Sequence, residues 1–155
     1  MLIRRLNQQF DTTIRNFPVC GEQVVQQDVA NITRGAGEMV LTVAVIGSRG
    51  FKNLQQVDDY LHMLKELIPE FWVITGGAKG VDTRAVEWCK DHKIMHRVIR
   101  PRNPAKREEY LYRNVEMIAM ADAVVAFWDK KSTGTAFGIA YAKEREKPIK
   151  VIYDG

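Results

Sequence analysis

Three stretches of this chain combine glycine, hydroxyl and basic residues in the manner of phosphate-binding loops. They are residues 47–51, 75–82 and 128–135. Glycine lets the backbone turn tightly and approach a ligand, and the free N–H groups at the start of a helix bind anions. Arg49, in the first stretch, adds a planar cationic group that suits phosphate. These residue types therefore predict the binding of a phosphorylated ligand.

Each stretch by itself leaves alternatives open. The first has the spacing Gly-x-x-Gly without a third glycine, so it lacks the dinucleotide fingerprint, and the third lacks the lysine of a Walker loop. Asp82 falls in the first turn of a predicted helix, where a carboxylate either complements the helix dipole or accepts a hydrogen bond from a ribose hydroxyl. Trp128 leaves a predicted strand, where its indole either stacks on a base or covers an edge of the core.

A basic segment from Lys90 to Arg113 carries the whole excess of positive charge. It holds eight basic and three acidic side chains, so it contributes +5 to a net charge of +4. Spread basic charge is typical of nucleic-acid binding, but a local excess needs only a phosphorylated small ligand. Arg102, Arg113 and Asn114 are therefore candidate ligand contacts. The alternative for Arg113 is an ion pair with Glu109, four residues earlier on a predicted helix.

Short β-branched runs alternate with longer amphipathic ones from residue 41 onward, which is the pattern of βα units around a parallel sheet. The runs predict five strands at residues 41–46, 71–75, 94–99, 123–127 and 149–153, and four helices at roughly 53–68, 80–92, 105–120 and 134–146. Ligands bind at the carboxyl ends of the strands in such an open sheet. The three loops and the end of the basic segment follow strands, so all of them come to that one edge.

Residues 1–40 stand outside this alternation and predict a partly helical N-terminal extension before a domain of residues 41–155. Ile3, Leu6 and Phe10 recur there at helical spacing. An apolar stripe on a short extension is buried either on its own domain or on another subunit. We favour the contact with another subunit, and hence a homo-oligomer.

Composition narrows the class of protein. A chain of 155 residues suits one domain, and 46% apolar with 27% charged residues is typical of a soluble globular protein. No apolar run approaches the ~18 residues that span a bilayer, and the first residues do not resemble a signal peptide. We therefore expect a cytoplasmic protein without a membrane partner. Cys20, Cys89 and three scattered histidines predict neither a disulfide framework nor a metal site.

Four separated motifs resemble the SLOG superfamily, and in particular its YspA/YpsA-related branch. They are residues 45–51, residues 74–82, Arg113-Asn114 with Met117, and residues 121–127 followed by 132–135. The resemblance covers about residues 41–153. It implies a Rossmann-like domain, that is, an open, mainly parallel five-stranded sheet with helices on both faces. It also implies a nucleotide or nucleotide-derived ligand, such as ADP-ribose or a similar NAD-like molecule.

Two groups of relatives within the superfamily imply different activities. LOG-type phosphoribohydrolases cleave the base from a nucleoside 5′-monophosphate, and Arg113 falls where they place a catalytic arginine. Gly134 and Thr135 match the end of their second glycine motif, but Gly138 replaces the glutamate that follows. A carboxylate near the anomeric carbon stabilises an oxocarbenium-like transition state, so its loss favours binding over catalysis. If the chain is an enzyme, Arg113 and Asp82 are the candidate catalytic residues. DprA-type proteins, in contrast, bind single-stranded DNA.

We therefore expect a module that binds a phosphorylated, nucleotide-type ligand as a sensor, carrier or sequestering protein, with no required cofactor and no metal. The alternatives are a LOG-type nucleotide hydrolase and a DprA-type single-stranded DNA-binding protein. The candidate ligand-binding residues of the first two loops are Gly47, Ser48, Arg49, Gly50, Phe51, Gly76, Gly77, Ala78, Gly80, Val81 and Asp82. Those of the later segments are Arg102, Arg113, Asn114, Trp128, Ser132, Thr133, Gly134 and Thr135.

Overall fold

The computed structural model describes residues 33–34, 38–68 and 70–155. Seven strands and four helices occur in these residues. The strands are β1 (Thr33–Arg34), β2 (Glu38–Met39), β3 (Leu41–Gly47), β4 (Phe71–Thr75), β5 (His96–Val98), β6 (Ala123–Trp128) and β7 (Ile149–Tyr153). The helices are α1 (Gln55–Leu67), α2 (Val81–Asp91), α3 (Arg107–Met120) and α4 (Thr133–Glu144).

Five of the strands form one parallel sheet in the order β5-β4-β3-β6-β7. Within this sheet the first strand in sequence, β3, is central. The next two, β4 and β5, are added on one side of it, and β6 and β7 are then added on the other side. This reversal is a topological switch point, and it lies between β3 and β6, where Val43 pairs with Ala123. A crevice therefore opens at the carboxyl ends of these two strands.

Both faces of the sheet are covered, which explains why its central strands are almost entirely apolar. Successive residues of β3 point to opposite faces. Val43 and Val45 belong to the core cluster that includes residues of α1 and α2, whereas Ala44 and Ile46 belong to the cluster that includes residues of α3 and α4. The predicted α/β fold, a parallel five-stranded sheet with helices on both faces, is confirmed.

The third strand of the sheet is shorter than the predicted run of residues 94–99. The strand β5 is His96–Val98, at the edge of the sheet. The backbone on either side of it also reaches β4, because Ile99 donates its N–H to the carbonyl oxygen of Thr75 at 2.8 Å and Met95 accepts from the N–H of Val73 at 3.0 Å. Ile94 and Ile99 lie outside the strand and pack against opposite core clusters. Their β-branched side chains therefore pack on the core just beyond the two ends of β5.

The predictions for residues 1–40 fall mostly outside the described residues. The helical stripe and the proposed subunit contact lie there, so they stay predictions. Within the described part of this segment, β1 and β2 form a two-residue antiparallel pair. Among the helices that the structure describes, none is long and apolar enough to cross a membrane.

Candidate functional site

A cleft of about 480 Å³ lies at the switch point, above the carboxyl ends of β3 and β6. The loops after these strands, the starts of α2 and α4, and one face of α3 form its walls. Its volume falls in the range of pockets that hold small ligands. The lining residues that we predicted from the loops and from α3 are Gly47, Arg49, Gly50, Ala78, Asp82, Arg113, Asn114, Ser132, Thr133, Gly134 and Thr135.

Arg113 lies at the inner end of this cleft and is only 8% exposed. Its Nη1 donates to the carbonyl oxygen of Gly76, and its Nε donates to Oδ1 of Asn114 at 2.9 Å. A Cβ at Gly76 would lie 2.4 Å from Nη1 of Arg113, so only glycine leaves room for the guanidinium. The alternative that we considered for Arg113, an ion pair with Glu109, is therefore wrong, because Arg113 turns inward toward β4.

Asp82 lies beside Arg113 and is 4% exposed. Its Oδ2 accepts a hydrogen bond from the backbone N–H of Ala78 at 3.0 Å, whereas its Oδ1 is buried without a hydrogen-bond partner in the described structure. The hydroxyl of Thr75 donates to the carbonyl oxygen of Val45 at 3.0 Å. Burial raises the pKa of Asp82, and the N–H of Ala78, the charge of Arg113, the hydroxyl of Thr75 and the N–H of Gly76 offset this only in part.

These contacts change the expected use of the loop before α2. We predicted that the glycine-rich residues 76–80 offer their N–H groups to a phosphate. In the structure Asp82 already takes the N–H of Ala78, and it lies in the first turn of α2. A carboxylate of the chain thus occupies the place of the anion, and it would repel a phosphate at this point.

The loop before α4 is arranged differently. Ser132 caps the helix, because its hydroxyl accepts from the N–H of Thr135 at 3.4 Å. Nη2 of Arg107 donates to Oγ1 of Thr133 at 3.0 Å. At Gly134 no atom lies within 4 Å of the place of a Cβ, so the backbone is open to the cleft. The first N–H groups of a helix have no partner within it, and this start of α4 can therefore receive an anion.

Ser48 joins the loops after β3 and β6. It is fully buried, its hydroxyl donates to Oγ1 of Thr135 at 3.3 Å, and it accepts from the N–H of Asp129 at 3.2 Å. Asp129 in turn accepts from the N–H groups of Lys131 and Ser132, both at 2.8 Å. These N–H groups, first that of Ser132, lower the pKa of Asp129. Ser48 is thus placed to hold the two loops together, below the surface of the cleft.

Seven other predicted ligand contacts are not part of the cleft lining: Phe51, Gly76, Gly77, Gly80, Val81, Arg102 and Trp128. Phe51 is buried and packs edge-on against Phe127 with 5.6 Å between ring centroids. Val81 is also part of the core. Trp128 donates its indole N–H to the carbonyl oxygen of Ser132 at 3.0 Å and packs against the core, which matches the alternative that it covers a core edge.

Arg102 is another of these residues, and its position shows that the basic segment lines two different surfaces. Its Nη2 lies 3.5 Å from Oε1 of Glu116 at the surface. Arg100 and Arg102 line a second cavity of about 370 Å³, Arg107 lines the main cleft, and Arg113 lines both. The positive charge therefore serves two neighbouring surfaces and not a single pocket.

Sequence reasoning missed several residues of the cleft. Arg107, Tyr110, Leu111 and Phe137 line it together with Ile46 and Met117. The guanidinium carbons of Arg49 and Arg113 each lie 5.5 Å from the ring centroid of Tyr110, within the range of cation–π contacts. Residues 107, 110, 111, 114 and 117 share one face of α3, so their helical spacing is the signal that could have found them.

Gly138 does not face the cleft. It is buried in α4 against the sheet, where a Cβ would lie 2.7 Å from Cδ1 of Ile46. A glutamate at this position would therefore overpack the core. Among the described residues, no group of three or more His, Cys, Asp or Glu side chains could hold a metal ion.

Known proteins resemble the chain in sequence pattern and in fold. Residues 41–104 match the model of the YspA, cpYpsA-related SLOG family. DNA processing protein A from Helicobacter pylori, studied for its single-stranded DNA binding mode, is 23% identical with a TM-score of 0.60 over 72% of this chain and 64% of that one. DNA processing protein A (DprA) from Streptococcus pneumoniae is 16% identical with a TM-score of 0.63 over 72% of this chain and 50% of that one.

A further solved structure, the structural-genomics target TM1055, is 19% identical with a TM-score of 0.53 over 70% of this chain and 72% of that one. No curated protein matches the sequence. This chain spans 64% and 50% of the length of the two DNA processing proteins. At these identities the similarity to solved structures shows the fold.

Proposed function

Because residues 41–104 carry the pattern of the YspA, cpYpsA-related SLOG family, we propose that the cleft binds a phosphorylated nucleotide or a nucleotide-derived molecule such as ADP-ribose or NAD. In this proposal the chain acts as a sensor, carrier or sequestering module. The observation that carries the proposal is the start of α4, which opens into a cleft at the switch point beside Arg107.

The phosphate of the ligand is proposed to lie at the start of α4. Three features support this placement. The helix dipole and the free N–H groups favour an anion there, Gly134 leaves the backbone open, and Arg107 supplies a charged donor beside Thr133. The start of α2 is disfavoured, because the carboxyl group of Asp82 occupies it.

The base of the ligand is proposed to lie against the apolar part of the cleft. Leu111, Met117 and Phe137 line this part, and apolar side chains with a few polar groups are typical of nucleotide-sized pockets. Arg49, Arg107 and Arg113 against Asp82 leave the lining with an excess of positive charge, which suits one or two phosphate groups.

Cleavage of an N-glycosidic bond is less well supported than binding. Among the described residues, Asp82 is the one acidic side chain that lines the cleft, and burial raises its pKa. A carboxylate that stabilises a developing positive charge must face the reacting carbon, and Oδ2 of Asp82 instead accepts from the N–H of Ala78 at 3.0 Å. The position of the glutamate in LOG-type enzymes is Gly138, which faces the core.

Single-stranded DNA binding is the second candidate function, and one observation favours it. Tyr112 is 60% exposed and lies beside Arg100 and Arg102 in the second cavity, which shares Arg113 with the main cleft. Aromatic side chains between basic groups stack the bases of single strands. The two DNA processing proteins add weight to this candidate by their fold.

Titration calorimetry with AMP, ADP-ribose, NAD and a short oligonucleotide tests the proposal. We expect the protein to bind at least one of the three small molecules, and Arg107→Ala to weaken that binding about tenfold because a charge-assisted hydrogen bond is lost. Lys106→Ala is the matched control, since Lys106 is exposed and lies outside the cleft lining. Absence of binding at millimolar concentration would refute the proposal. Oligonucleotide binding that depends steeply on salt and is lost in Tyr112→Ala would establish the second candidate instead.

A further inference from the structure

The ring of Tyr110 contacts two of the arginines that line the cleft. The guanidinium carbons of Arg49 and Arg113 each lie over this ring, 5.5 Å from its centroid. Arg113 follows Tyr110 by three residues on α3, whereas Arg49 belongs to the loop after β3. All three side chains line the cleft. One aromatic side chain therefore contacts cations from two different walls of the cleft.

Two guanidinium groups that share one ring repel each other. Burial lowers the pKa of Arg113, and the charge of Arg49 lowers it further, whereas the charge of Asp82 raises it. Among the described residues, Asp82 is the one acidic side chain that lines the cleft. The face of an aromatic ring carries partial negative charge and attracts cations. The ring of Tyr110 thus offsets part of the repulsion without adding a second carboxylate to the lining.

The two arginines differ in what else holds them. Arg113 is buried and donates hydrogen bonds to the chain through Nη1 and Nε. Arg49 is exposed, and no carboxylate of the described residues pairs with it, since the ion pairs there belong to Arg84 and Arg102. The ring of Tyr110 is therefore the contact that positions the guanidinium group of Arg49.

Tyr110 is itself fixed at both ends. Its backbone lies in the first turn of α3, and its hydroxyl donates to the carbonyl oxygen of Pro104 at 2.9 Å. The side chain as a whole is half-buried. An arginine that already lies against a fixed ring loses less conformational entropy when a ligand binds. The ring therefore prepares Arg49 for an anion before the ligand arrives.

We infer that Tyr110 is a positioning residue, which holds Arg49 near Arg113 so that two guanidinium groups, in addition to that of Arg107, meet the anionic part of the ligand. The inference rests on the proposed function and deepens it. It names the side chain through which the cleft prefers a phosphorylated nucleotide to the unphosphorylated nucleoside. The competing role for an aromatic ring is stacking on the base. In that role Tyr110 would serve adenosine, which has no phosphate, as much as AMP.

Calorimetry on the unmodified protein, Tyr110→Leu and Tyr110→Phe tests the inference. The probes are AMP, ADP-ribose and NAD, with adenosine measured by its displacement of the tightest of the three. In Tyr110→Leu we expect that ligand to bind about fivefold more weakly, because the cation–π contact is lost, and adenosine to bind as before. Tyr110→Phe keeps the ring and loses only the hydrogen bond to Pro104, so it should retain most of the affinity. The ratio of the two dissociation constants within one variant does not depend on how much of the protein is folded.

Tyr153→Leu is the matched control. The ring of Tyr153 also contacts a cation, Nζ of Lys130 at 4.8 Å from the centroid, but Tyr153 lies outside the cleft lining, so all affinities should stay unchanged. Three results would overturn the inference and leave the proposed function intact: unchanged binding in Tyr110→Leu, equal weakening of adenosine and the phosphorylated ligand, or a Tyr110→Phe variant as weak as Tyr110→Leu. Failure of AMP, ADP-ribose and NAD to bind the unmodified protein would refute the proposed function and the inference with it.

Discussion

The two helix-starting loops of this site have similar residue types and opposite arrangements. The loop before α2 buries the carboxyl group of Asp82, which takes the N–H of Ala78 and lies beside Arg113. In the loop before α4 the carboxylate is Asp129, and it accepts from the N–H groups of Lys131 and Ser132, which precede the helix. The first loop thus supplies its own anion, whereas the second leaves the helix start open to the cleft.

The difference teaches that a glycine-rich loop before a helix does not by itself indicate a phosphate site. What matters is whether a carboxylate of the chain already occupies the helix start. The pKa directions express the same contrast. Burial raises the pKa of Asp82, whereas N–H donors at the surface lower that of Asp129. An anion binds where the protein has left its donors unused.

The largest expected effect is the difference in unfolding free energy between variants of Arg113, beside the first loop, and Arg107, beside the second. Arg113→Ala removes the cation beside Asp82 and the donor to the carbonyl oxygen of Gly76, so we expect the free energy of unfolding to fall by about 3 kcal/mol. Arg107→Ala, at the open loop, should change it by less than about 0.5 kcal/mol, because Arg107 is exposed. Urea denaturation of both variants measures the difference, and equal destabilisation would contradict the contrast.

A second comparison uses two glycines of α4. Gly138→Ala places a methyl group 2.7 Å from Cδ1 of Ile46. Because this atom is the end of a side chain that can shift, and because alanine favours a helix more than glycine does, we expect a loss of at most about 1 kcal/mol. Gly134→Ala meets no atom within 4 Å, so it should leave stability unchanged or raise it by up to about 1 kcal/mol. Thermal unfolding of the two variants tests this. If Gly138→Ala were as stable as Gly134→Ala, the packing of α4 on the sheet would be looser than we describe.

The smallest expected effect is in the pH dependence of stability. The folded pKa of Asp82 lies above the unfolded value of 3.8, so the protein loses stability as pH rises from 3.8 through the folded pKa. Asp82→Asn should remove this loss. The folded pKa of Asp129 lies below 3.8, so its contribution is present above 3.8 and is lost as pH falls through the folded pKa. Asp129→Asn should therefore change the shape of the curve of unfolding free energy against pH only below about pH 3.8. Parallel curves for the two variants would refute the contrast.

The fold could be predicted from the sequence because its signals are local and repeated. Five apolar, β-branched runs alternate with amphipathic helices, and a parallel sheet buried on both faces requires such runs. The third strand was predicted too long, because it is His96–Val98 within the predicted residues 94–99. Ile94 and Ile99 lie outside it and pack on the core clusters, and sequence alone does not distinguish apolar residues buried beside an edge strand from those within it.

The site could be predicted only in part. The loops after β3 and β6 follow from the order of the elements, and seven of the ten candidate residues predicted in and beside them line the cleft. Tyr110 and Arg107 were missed because their place depends on which face of α3 turns to the cleft. Trp128 was offered as a stacking residue or as a cover for the core, and its hydrogen bond to Ser132 and its contacts with the core agree with the second role.

The sequence by itself determined the parallel α/β architecture and the edge of the sheet where ligands bind, because strand pairing and helix periodicity depend on neighbouring residues. Only the tertiary structure decided which of the two loops remains open. The carboxyl group of Asp82 fills the start of α2, and Arg113, which the fold of α3 brings to Gly76 and Asp82 from more than thirty residues away, lies beside it. No local pattern encodes a contact of that length.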